Sequence, residues 1–433
     1  MRTNGIYPPS VKPGIPKLGE CPKGWKICRF GDVLEVVERK AILKDDAEYQ
    51  LVIAKRNRGG IEPRVRLRGA EIRTKTQQLI TAGDFLISRR QIIHGACGLV
   101  PPSLDGALVS NEYTTLLPKD GVLLAEYLAF FSHSLHFQQT CFHSSVGVDV
   151  EKMVFRLPKW LHHKLLLPPL PEQERIAEVL GAWDRAIGLT DRLIEAKQRL
   201  KKGLMQQLLT GRLRFPQFGK PARKHGDLPK GWVRKNLKKL GSLTAGGTPS
   251  TSVPDYWGGD IPWMSSGELN HRRVFSVEGR ITRKGLGNSS AKMIPEHSVL
   301  IGLAGQGKTR GTVAINEISL CTNQSVAAII PNEQMLDSFY LYHHLDSRYD
   351  ELRRLSAGDG GRGGLNLSLL RSLVIILPSL IEQGHIARTI DACDREIQLL
   401  IRKRDRLQQQ KRGLMQKLLT GELRLKVGKG GRK

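Results

Sequence analysis

Cysteine and aromatic residues are scarce in this sequence, and each scarcity excludes a class of protein. The 433 residues include six cysteines, and no two of them form a CxxC pair. Neither a zinc ribbon nor a disulfide framework is therefore predicted, and we expect reduced thiols. Aromatic residues make up only 6% of the chain, which argues against a single-strand binder that stacks bases on aromatic rings.

Long apolar runs are missing as well. No segment approaches the roughly 18 consecutive apolar residues that a membrane-spanning helix needs. The sequence therefore predicts a soluble cytoplasmic protein without a membrane partner. The Asn-Pro-Pro-aromatic tetrapeptide used by amino-methyltransferases is also absent, so we expect no methyl transfer by this chain itself.

Acidic residues are few relative to basic ones. The chain has 41 Asp and Glu against 68 Lys and Arg, a net charge of +27 at pH 7, and the excess is spread along its length. Such a charge indicates a polyanionic partner. With so few aromatic residues, it favours the phosphates and groove edges of double-stranded DNA. A basic protein without such a partner is the alternative.

An internal repeat organises the chain, with a displacement of 210 residues. KGLMQQLLTGRLR at 202–214 returns as RGLMQKLLTGELR at 412–424. LPPLPEQERIA at 167–177 returns as LPSLIEQGHIA at 377–387. The sequence therefore predicts two copies of a variable block followed by a helical block.

Each helical block carries residues on an alternating four-then-three spacing, which is typical of a coiled-coil seam. The first seam contains Ile176, Leu180, Trp183, Ile187, Thr190, Ile194, Leu204 and Leu208. The second contains Ile386, Ile390, Cys393, Ile397, Leu400, Leu407, Leu414 and Leu418. Lys197 and Lys201 interrupt the first seam, and Arg404 and Lys411 interrupt the second. We predict that the two helices pair antiparallel; two independent amphipathic helices, each packed on its own domain, are the alternative.

The ends of both helices have sequence signals. Pro171 followed by Glu172 predicts a helix start, because proline loses no needed donor and the carboxylate faces the positive end of the helix dipole. Thr210 with Gly211, and Thr420 with Gly421, predict the two helix ends.

The variable blocks mix short β-branched runs with Gly and Pro turns. We predict strands at 51–54, 84–88, 299–303 and 326–330, and one helix in each block, near 123–137 and 335–355. The fold class is thus two mixed α/β domains in tandem, separated by two long helices that form an antiparallel coiled coil, with an internal pseudo-two-fold repeat.

The order of blocks resembles the specificity subunit of type I restriction-modification systems. The resemblance covers nearly the whole chain and depends on the repeated LP, EQ, IA and LLTG positions and on GGTPSTSVPDYWGGDIPW at 246–263. It is looser in the first block. It implies a non-catalytic protein without a cofactor, in which two target-recognition domains each read one half of a bipartite DNA sequence. The helices would separate these domains and dock two adenine-specific DNA methyltransferase subunits, which recruit ATP-dependent restriction subunits.

This resemblance gives an expected division of the chain. The recognition domains are predicted at 1–160 and 231–377, with long-helix spacers at 161–215 and 378–425. A linker at 216–230 and a basic tail at 426–433 complete the chain.

GLAGQGKT at 302–309 matches the GxxxxGK[ST] pattern of phosphate-binding loops. Such a loop needs a strand before it and a helix after it, whereas Val313, Ala314 and Ile315 predict a second strand. The equivalent segment of the first copy, 83–100, has no GK[ST]. We therefore predict a basic hairpin loop in both copies. Two alternatives stay open: an ATP-dependent DNA enzyme that uses Gly302 to Thr309, and a specificity subunit of a related fused or type II-like restriction system.

Other candidate chemistry is weak. The adjacent pairs His162–His163 and His343–His344 point apart on a strand or a helix, so no metal site is predicted. GDGGRG at 358–363 matches a dinucleotide-binding pattern, but a helix rather than a strand is predicted before it.

Clusters of Lys and Arg are the candidate DNA contacts. Most should bind phosphates and only a few should read bases. For each, an ordinary solvated surface charge is the alternative. The candidates are Lys55, Arg56, Arg58, Arg64, Arg66, Arg68, Arg89, Arg90, Arg272, Arg273, Lys284, Lys308, Arg310 and Arg362.

Overall fold

The structure is a computed structural model, and it describes residues 11, 14, 17–222, 224, 226–305, 309–355 and 364–426. The chain divides into two compact units, residues 1–189 with 403–433 and residues 190–402. Each unit contains one variable block and one half of each long helix. Among the described residues all six cysteines are free thiols.

Unit 1 contains a domain of mixed helices and strands. Its strands are β1 (Lys26–Arg29), β2 (Leu34–Val37), β3 (Glu48–Ala54), β4 (Ile61–Arg68), β5 (Gln77–Leu79), β6 (Phe85–Ser88), β7 (Cys97–Leu99), β8 (Leu108–Ser110), β9 (Tyr113–Pro118), β10 (Ser145–Val146), β11 (Val154–Phe155) and β12 (Lys164–Leu167). Its helices are α1 (Phe30–Val33), α2 (Ala125–Phe131), α3 (Leu135–His143), α4 (Leu157–Leu161) and the first half of α5 (Leu170–Leu208). Two four-stranded sheets, β2-β9-β6-β7 and β4-β3-β8-β5, form its framework.

Unit 2 contains the second mixed domain. Its strands are β13 (Val233–Asn236), β14 (Gly241–Ala245), β15 (Trp257–Met264), β16 (Arg273–Val274), β17 (Gly279–Ile281), β18 (Val299–Gly302), β19 (Val313–Asn316), β20 (Cys321–Thr322), β21 (Val326–Pro331) and β22 (Val374–Leu377). Its helices are α6 (Arg283–Gly287), α7 (Ser338–Asp346), α8 (Tyr349–Leu355), α9 (Leu367–Ser372) and the first part of α10 (Leu380–Thr420). The sheets run β14-β21-β18-β19-β16 and β17-β15-β20.

The four predicted strands are confirmed as β3, β6, β18 and β21, although β6 and β18 are each one residue shorter than predicted. The prediction of one helix per variable block near 123–137 and 335–355 is wrong, because two shorter helices occupy each region. Serine explains both breaks: Ser134 accepts a hydrogen bond from the Phe137 amide and starts α3, and Ser347 Oγ donates to the carbonyl of His344. Serine hydroxyls compete in this way with regular helical bonding.

The long helices follow the predicted seam. α5 has 39 residues and α10 has 41, so each spans about 60 Å at about 1.5 Å per residue. Every predicted seam residue is buried or half-buried. In unit 2, Lys197 contacts Glu396 and Lys201 contacts Asp394, an order that requires antiparallel helices.

The same direction holds in unit 1. Asp184 contacts Lys411, and Glu172, twelve residues before Asp184, contacts Arg424 beyond the end of α10. The predicted antiparallel pairing is confirmed within each unit.

In each domain the first strand pairs with the last strand, which lies just before a long helix. β1 pairs antiparallel with β12 in unit 1, and β13 pairs antiparallel with β22 in unit 2. The first and last strands of each variable block therefore meet beside the start of α5 or α10. The chain thus enters and leaves each domain at the same place.

Candidate nucleic-acid interface

A strand rich in arginine forms one edge of a sheet in unit 1. β4 is an outer strand, and its Arg64, Arg66 and Arg68 are exposed. Arg66 and Arg68 lie opposite Gln50 and Glu48 of β3, and since alternate side chains share a face of a strand, both arginines project to one side. None of the three forms an ion pair with an acid in the described part of the chain. This edge therefore presents a row of positive charge without a direct ion pair.

Two predicted basic loops meet beside this strand. The Arg56 guanidinium donates to Gln91 Oε1 at 2.7 Å and to Glu151 at 2.9 Å. The Arg58 amide donates to the carbonyl of Gly95 at 3.0 Å. The loop after β3 thus contacts the loop between β6 and β7, and the structure brings these two clusters together as one surface.

Other predicted residues of unit 1 have acidic neighbours. Lys55 lies 3.1 Å from Glu62, and Arg90 lies 2.8 Å from Glu112. Arg89 is half-buried, and its carbonyl accepts from the amide of Phe155. A phosphate would have to compete with these carboxylates for Lys55 and Arg90.

Arg58 has an unusual setting. Its φ of +62° lies in the left-handed region, which non-glycine residues rarely occupy, and its buried Nε has no hydrogen-bond partner in the described part of the chain. The side chain borders a cavity of about 1000 Å³ that His133, Lys411 and Arg412 also line. Burial, then the charges of Lys411 and Arg58, lower the pKa of His133 to about 4. The cavity is therefore basic, with a neutral histidine at pH 7.

The arginines of β16 and its preceding turn are held by acids of unit 2. Arg272 pairs with Asp346. Arg273 lies 2.8 Å from Glu317 and 3.9 Å from Asp391, and its guanidinium stacks over Phe339 at 4.9 Å. These contacts fasten β16 to neighbouring elements, a role that the sequence did not indicate.

The remaining predicted residues of unit 2 are dispersed. Lys284 on α6 is exposed and lies 3.0 Å from Asp255. Arg310 is half-buried just before β19. Lys308 and Arg362 lie outside the described residues, as does the whole 358–363 pattern.

The GxxxxGK[ST] segment connects two antiparallel strands. Ile301 of β18 pairs with Val313 of β19, and Ile87 of β6 pairs with Cys97 of β7 in unit 1, so the predicted strand-loop-strand is confirmed in both copies. A Cβ on Gly302 would lie 2.3 Å from the carbonyl oxygen of Thr309. The hairpin itself therefore requires this glycine, and no helix follows to direct amides at a phosphate.

His343 lies beside two aspartates, although the adjacent pair His343–His344 predicted no metal site. His343 and the carboxylates of Asp391 and Asp394 lie within 4.8 Å of one another, and His343 Nε2 is 2.9 Å from Asp391. Lys201 already donates to both Asp394 oxygens, at 2.6 and 2.7 Å. Together with Arg273, it balances the two carboxylates, so the cluster is a charge-paired network that does not favour a cation.

Sequence reasoning missed the role of the repeated Glu-Gln dipeptide at the start of each long helix. Glu172 was expected only to complement the helix dipole. Its side chain is 3% exposed and accepts from Trp25 and Arg424, and Glu382 makes the same contacts in unit 2. The signal was available, because each of these residues recurs in the other copy of the repeat.

Two mixed domains, each followed by a long helix, form a tandem repeat. The family model described as "Type I restriction modification DNA specificity domain" matches residues 22–197 and again residues 229–409. Because these two matches cover most of the sequence, the chain belongs to the family of type I restriction-modification specificity subunits.

Curated relatives agree with this assignment. The chain is 24% identical over 426 residues to the type I restriction enzyme MjaVIII specificity subunit of Methanocaldococcus jannaschii, covering 94% of each. It is 31% identical over 163 residues to the EcoR124I/EcoR124II specificity subunit of Escherichia coli, covering 37% of this chain and 40% of that one.

Solved structures share the fold. A chain from a study of complex assembly and conformational transition of a type I R-M system superposes with a TM-score of 0.60 at 21% identity, covering 94% of this chain and 100% of that one. The S subunit of a type I system from M. genitalium gives 0.56 at 13% identity, covering 95% and 98%.

Within the described part of the chain, every helix falls short of the length or apolar character that crossing a membrane requires.

Proposed function

We propose that this chain is the non-catalytic DNA-specificity subunit of a type I complex, in which each recognition domain reads one half of a bipartite target. The paired helices set the gap between the half-sites and dock two adenine-specific DNA methyltransferase subunits. ATP-dependent restriction subunits join through these. The complex acts in the cytoplasm on double-stranded DNA, and the domain boundaries proposed for it are those expected from the sequence.

One observation carries this proposal: the family domain occurs twice in one chain, and each copy has its own sheets, core and long helix. Two copies with different variable blocks provide two different readers. A single reader would need only one copy, and a symmetric pair of identical readers would require identical blocks.

The favoured DNA contacts are the exposed arginines of β4 and the basic loops beside it. Charged residues on an edge strand also prevent pairing with other sheets, so DNA binding is the added role here. Arg58, which lines the basic cavity, is a further candidate for a phosphate contact. Six of the candidates would first have to leave an acidic partner, namely Lys55, Arg56, Arg90, Arg272, Arg273 and Lys284. Arg310, Lys308 and Arg362 stay candidates from the sequence.

The alternative, an ATP-dependent DNA enzyme acting through Gly302 to Thr309, has less support. In the described part of this segment β18 is followed by a second strand, β19, whereas a phosphate-binding loop needs a helix there. Calorimetry of the isolated chain with ATP and magnesium should give no binding heat.

Mapping of methylated adenines tests the proposal. DNA from cells that express the methyltransferase partners with this chain should carry methylation at one interrupted, asymmetric sequence. The same partners without the chain should leave that sequence unmethylated. Methylation that does not depend on the chain, or that occurs at a contiguous site, would overturn the proposal.

A further inference from the structure

A buried carboxylate joins three segments of unit 1. Glu172, in the first turn of α5, accepts from Trp25 Nε1 at 3.0 Å. Arg424, which follows α10, donates to both of its oxygens, at 2.7 and 2.8 Å. The same guanidinium donates to the carbonyl of Lys23 at 2.7 Å and lies over the Trp25 ring. The start of the recognition domain, the start of α5 and the end of α10 therefore meet at one ion pair.

Unit 2 contains the same arrangement, and each such cluster of a buried glutamate with its arginine and tryptophan partners is called a node below. Glu382 accepts from Trp232 Nε1 at 3.1 Å, and Arg214 donates to its two oxygens at 2.8 and 2.9 Å. Arg214 also donates to the carbonyl of Lys230 at 3.1 Å. Here the side chains of Arg214 and Glu382 are 7% and 1% exposed, so solvent screens this pair very little.

The neighbouring glutamines connect each helix to a second point on its domain. Gln173 Oε1 accepts from the amide of Leu124 at 2.8 Å, and its Nε2 donates to the carbonyl of Val122 at 2.9 Å. Gln383 accepts from the amide of Asp337 and donates to the carbonyl of Met335 in the same way. Each domain is thus held to its long helix at two separate places, which fixes a direction and not only a distance.

Close packing beside these nodes restricts movement of the chain that follows each long helix. Gly211 and Gly421 follow the two helix ends with φ of +72° and +74°. A Cβ on either would lie 2.4 or 2.3 Å from the ring of Pro229 or Pro22. The chain after each helix therefore passes directly against the Pro-Lys-Gly-Trp segment that opens the domain.

We propose that Glu172 and Glu382 are positioning residues, which set the direction in which each recognition domain leaves its helix and so the gap between half-sites that the complex accepts. This inference rests on the proposed function. A buried ion pair gives little net stability compared with a well-packed apolar pair, whereas a two-bond fork between guanidinium and carboxylate fixes orientation. We therefore expect the nodes to fix the orientation of each domain on its helix more than to stabilise the fold.

In each unit, the arginine that pairs with the buried glutamate follows the long helix that begins in the other half of the sequence. Arg424, beyond α10, closes the node of the first recognition domain, and Arg214, beyond α5, closes that of the second. A change near residue 424 should therefore alter how the first domain is held, although the two lie far apart in sequence.

The test uses the full complex with its methyltransferase subunits and duplexes that carry the mapped target. The gap is native, one base pair shorter or one base pair longer. Arg214→Met combined with Glu382→Gln replaces the ion pair by neutral side chains of similar size, and Gln can still accept from Trp232. We expect the ratio of affinities for native and altered gaps to fall by at least about fivefold, the lower range of typical coupling between sites.

Arg424→Met with Glu172→Gln should give the same loss through the other domain. Arg212→Ala, an exposed arginine two residues from Arg214, is the matched control and should keep the wild-type ratio. A folded double variant with unchanged gap selectivity would overturn the proposal, because a purely structural role lowers affinity equally for all gaps.

If the double variant fails to fold, Arg214→Lys replaces it. Lysine keeps the charge but not the two-donor fork, so its gap selectivity should also fall, and wild-type selectivity would count against the proposal. A wild-type complex that prefers no interrupted target at all would instead refute the proposed function.

Discussion

Lys201 donates to both carboxylate oxygens of Asp394, at 2.6 and 2.7 Å, and it is one of the two lysines that interrupt the seam of α5. Lys411 makes the corresponding contact with Asp184 at 2.6 Å in unit 1. A displacement of 210 residues converts Lys201 into Lys411 and Asp184 into Asp394, so the same pair recurs with the two helices exchanged. These two lysines therefore favour one register of the antiparallel helices, as polar seam residues do in coiled coils.

Reversing one charge of this pair should weaken the helix pairing. Asp394→Lys places two lysines together, and because the carboxylate is about one-third exposed, the loss should be about 1 kcal/mol of unfolding free energy. Adding Lys201→Asp should restore much of it, since the pair is rebuilt in the opposite sense. Denaturant unfolding of the wild type, the two single variants and the double variant gives the coupling free energy between the two residues. Losses that simply add would show that the contact does not hold the helices in register.

A buried histidine should make the protein sensitive to acid. Burial, then the charge of Arg348, lower the pKa of His344 to about 3 from 6.5, and its Nδ1 has no hydrogen-bond partner in the described part of the chain. Below pH 6.5 the unfolded state binds a proton that the folded state refuses, so stability falls as the pH drops from 6.5 towards 3. At pH 5 this amounts to about 2 kcal/mol.

The first copy of the repeat suggests the variant, because EYLAFF at 126–131 corresponds to FYLYHH at 339–344, which places Phe131 opposite His344. His344→Phe should stabilise the protein at pH 5 by about 2 kcal/mol more than it does at pH 7.5. Unfolding at both pH values measures this difference. Equal effects at the two pH values would mean that His344 is not the titrating group.

The exposed arginines of β4 should act through DNA phosphates. Arg66→Ala should weaken binding of the complex to DNA of any sequence and reduce the slope of log K against log salt by about 0.9, the value for one phosphate contact. Arg175→Ala on α5, whose guanidinium pairs with Glu178, is the control and should leave the slope unchanged. A loss confined to the specific target would instead assign Arg66 to base reading.

The long helices and their pairing could be predicted because their signal is periodic and local. Ile176 and Leu180, or Ile386 and Ile390, show the buried side of a helix from a few residues of sequence. The hairpin around Gly302 was also predictable, since β-branched residues on both sides exclude a helix. Repetition of the whole pattern made each of these predictions twice.

The polar contacts could not be predicted individually, because their partners are distant in sequence. Glu172 and Arg424 are 252 residues apart, and His343 meets Asp391 across 48 residues. Likewise, nothing local shows that Arg272 and Arg273 face acids while Arg66 does not. A lysine or arginine has the same local pattern in a solvated cluster, an ion pair or a DNA contact, and only the fold distinguishes them.

The gap length after helix extension shows whether the paired helices separate two DNA-binding domains. Seven residues inserted within 188–201 and seven at the matching place within 398–411 preserve the face of the seam. They add about 10 Å of helix, or about three base pairs at 3.4 Å each. Methylation mapping with the doubly extended chain should show the same two half-sites separated by about three more base pairs, and the singly extended chain should lose methylation. An unchanged gap in the doubly extended protein would show that the paired helices do not set the distance between the half-sites.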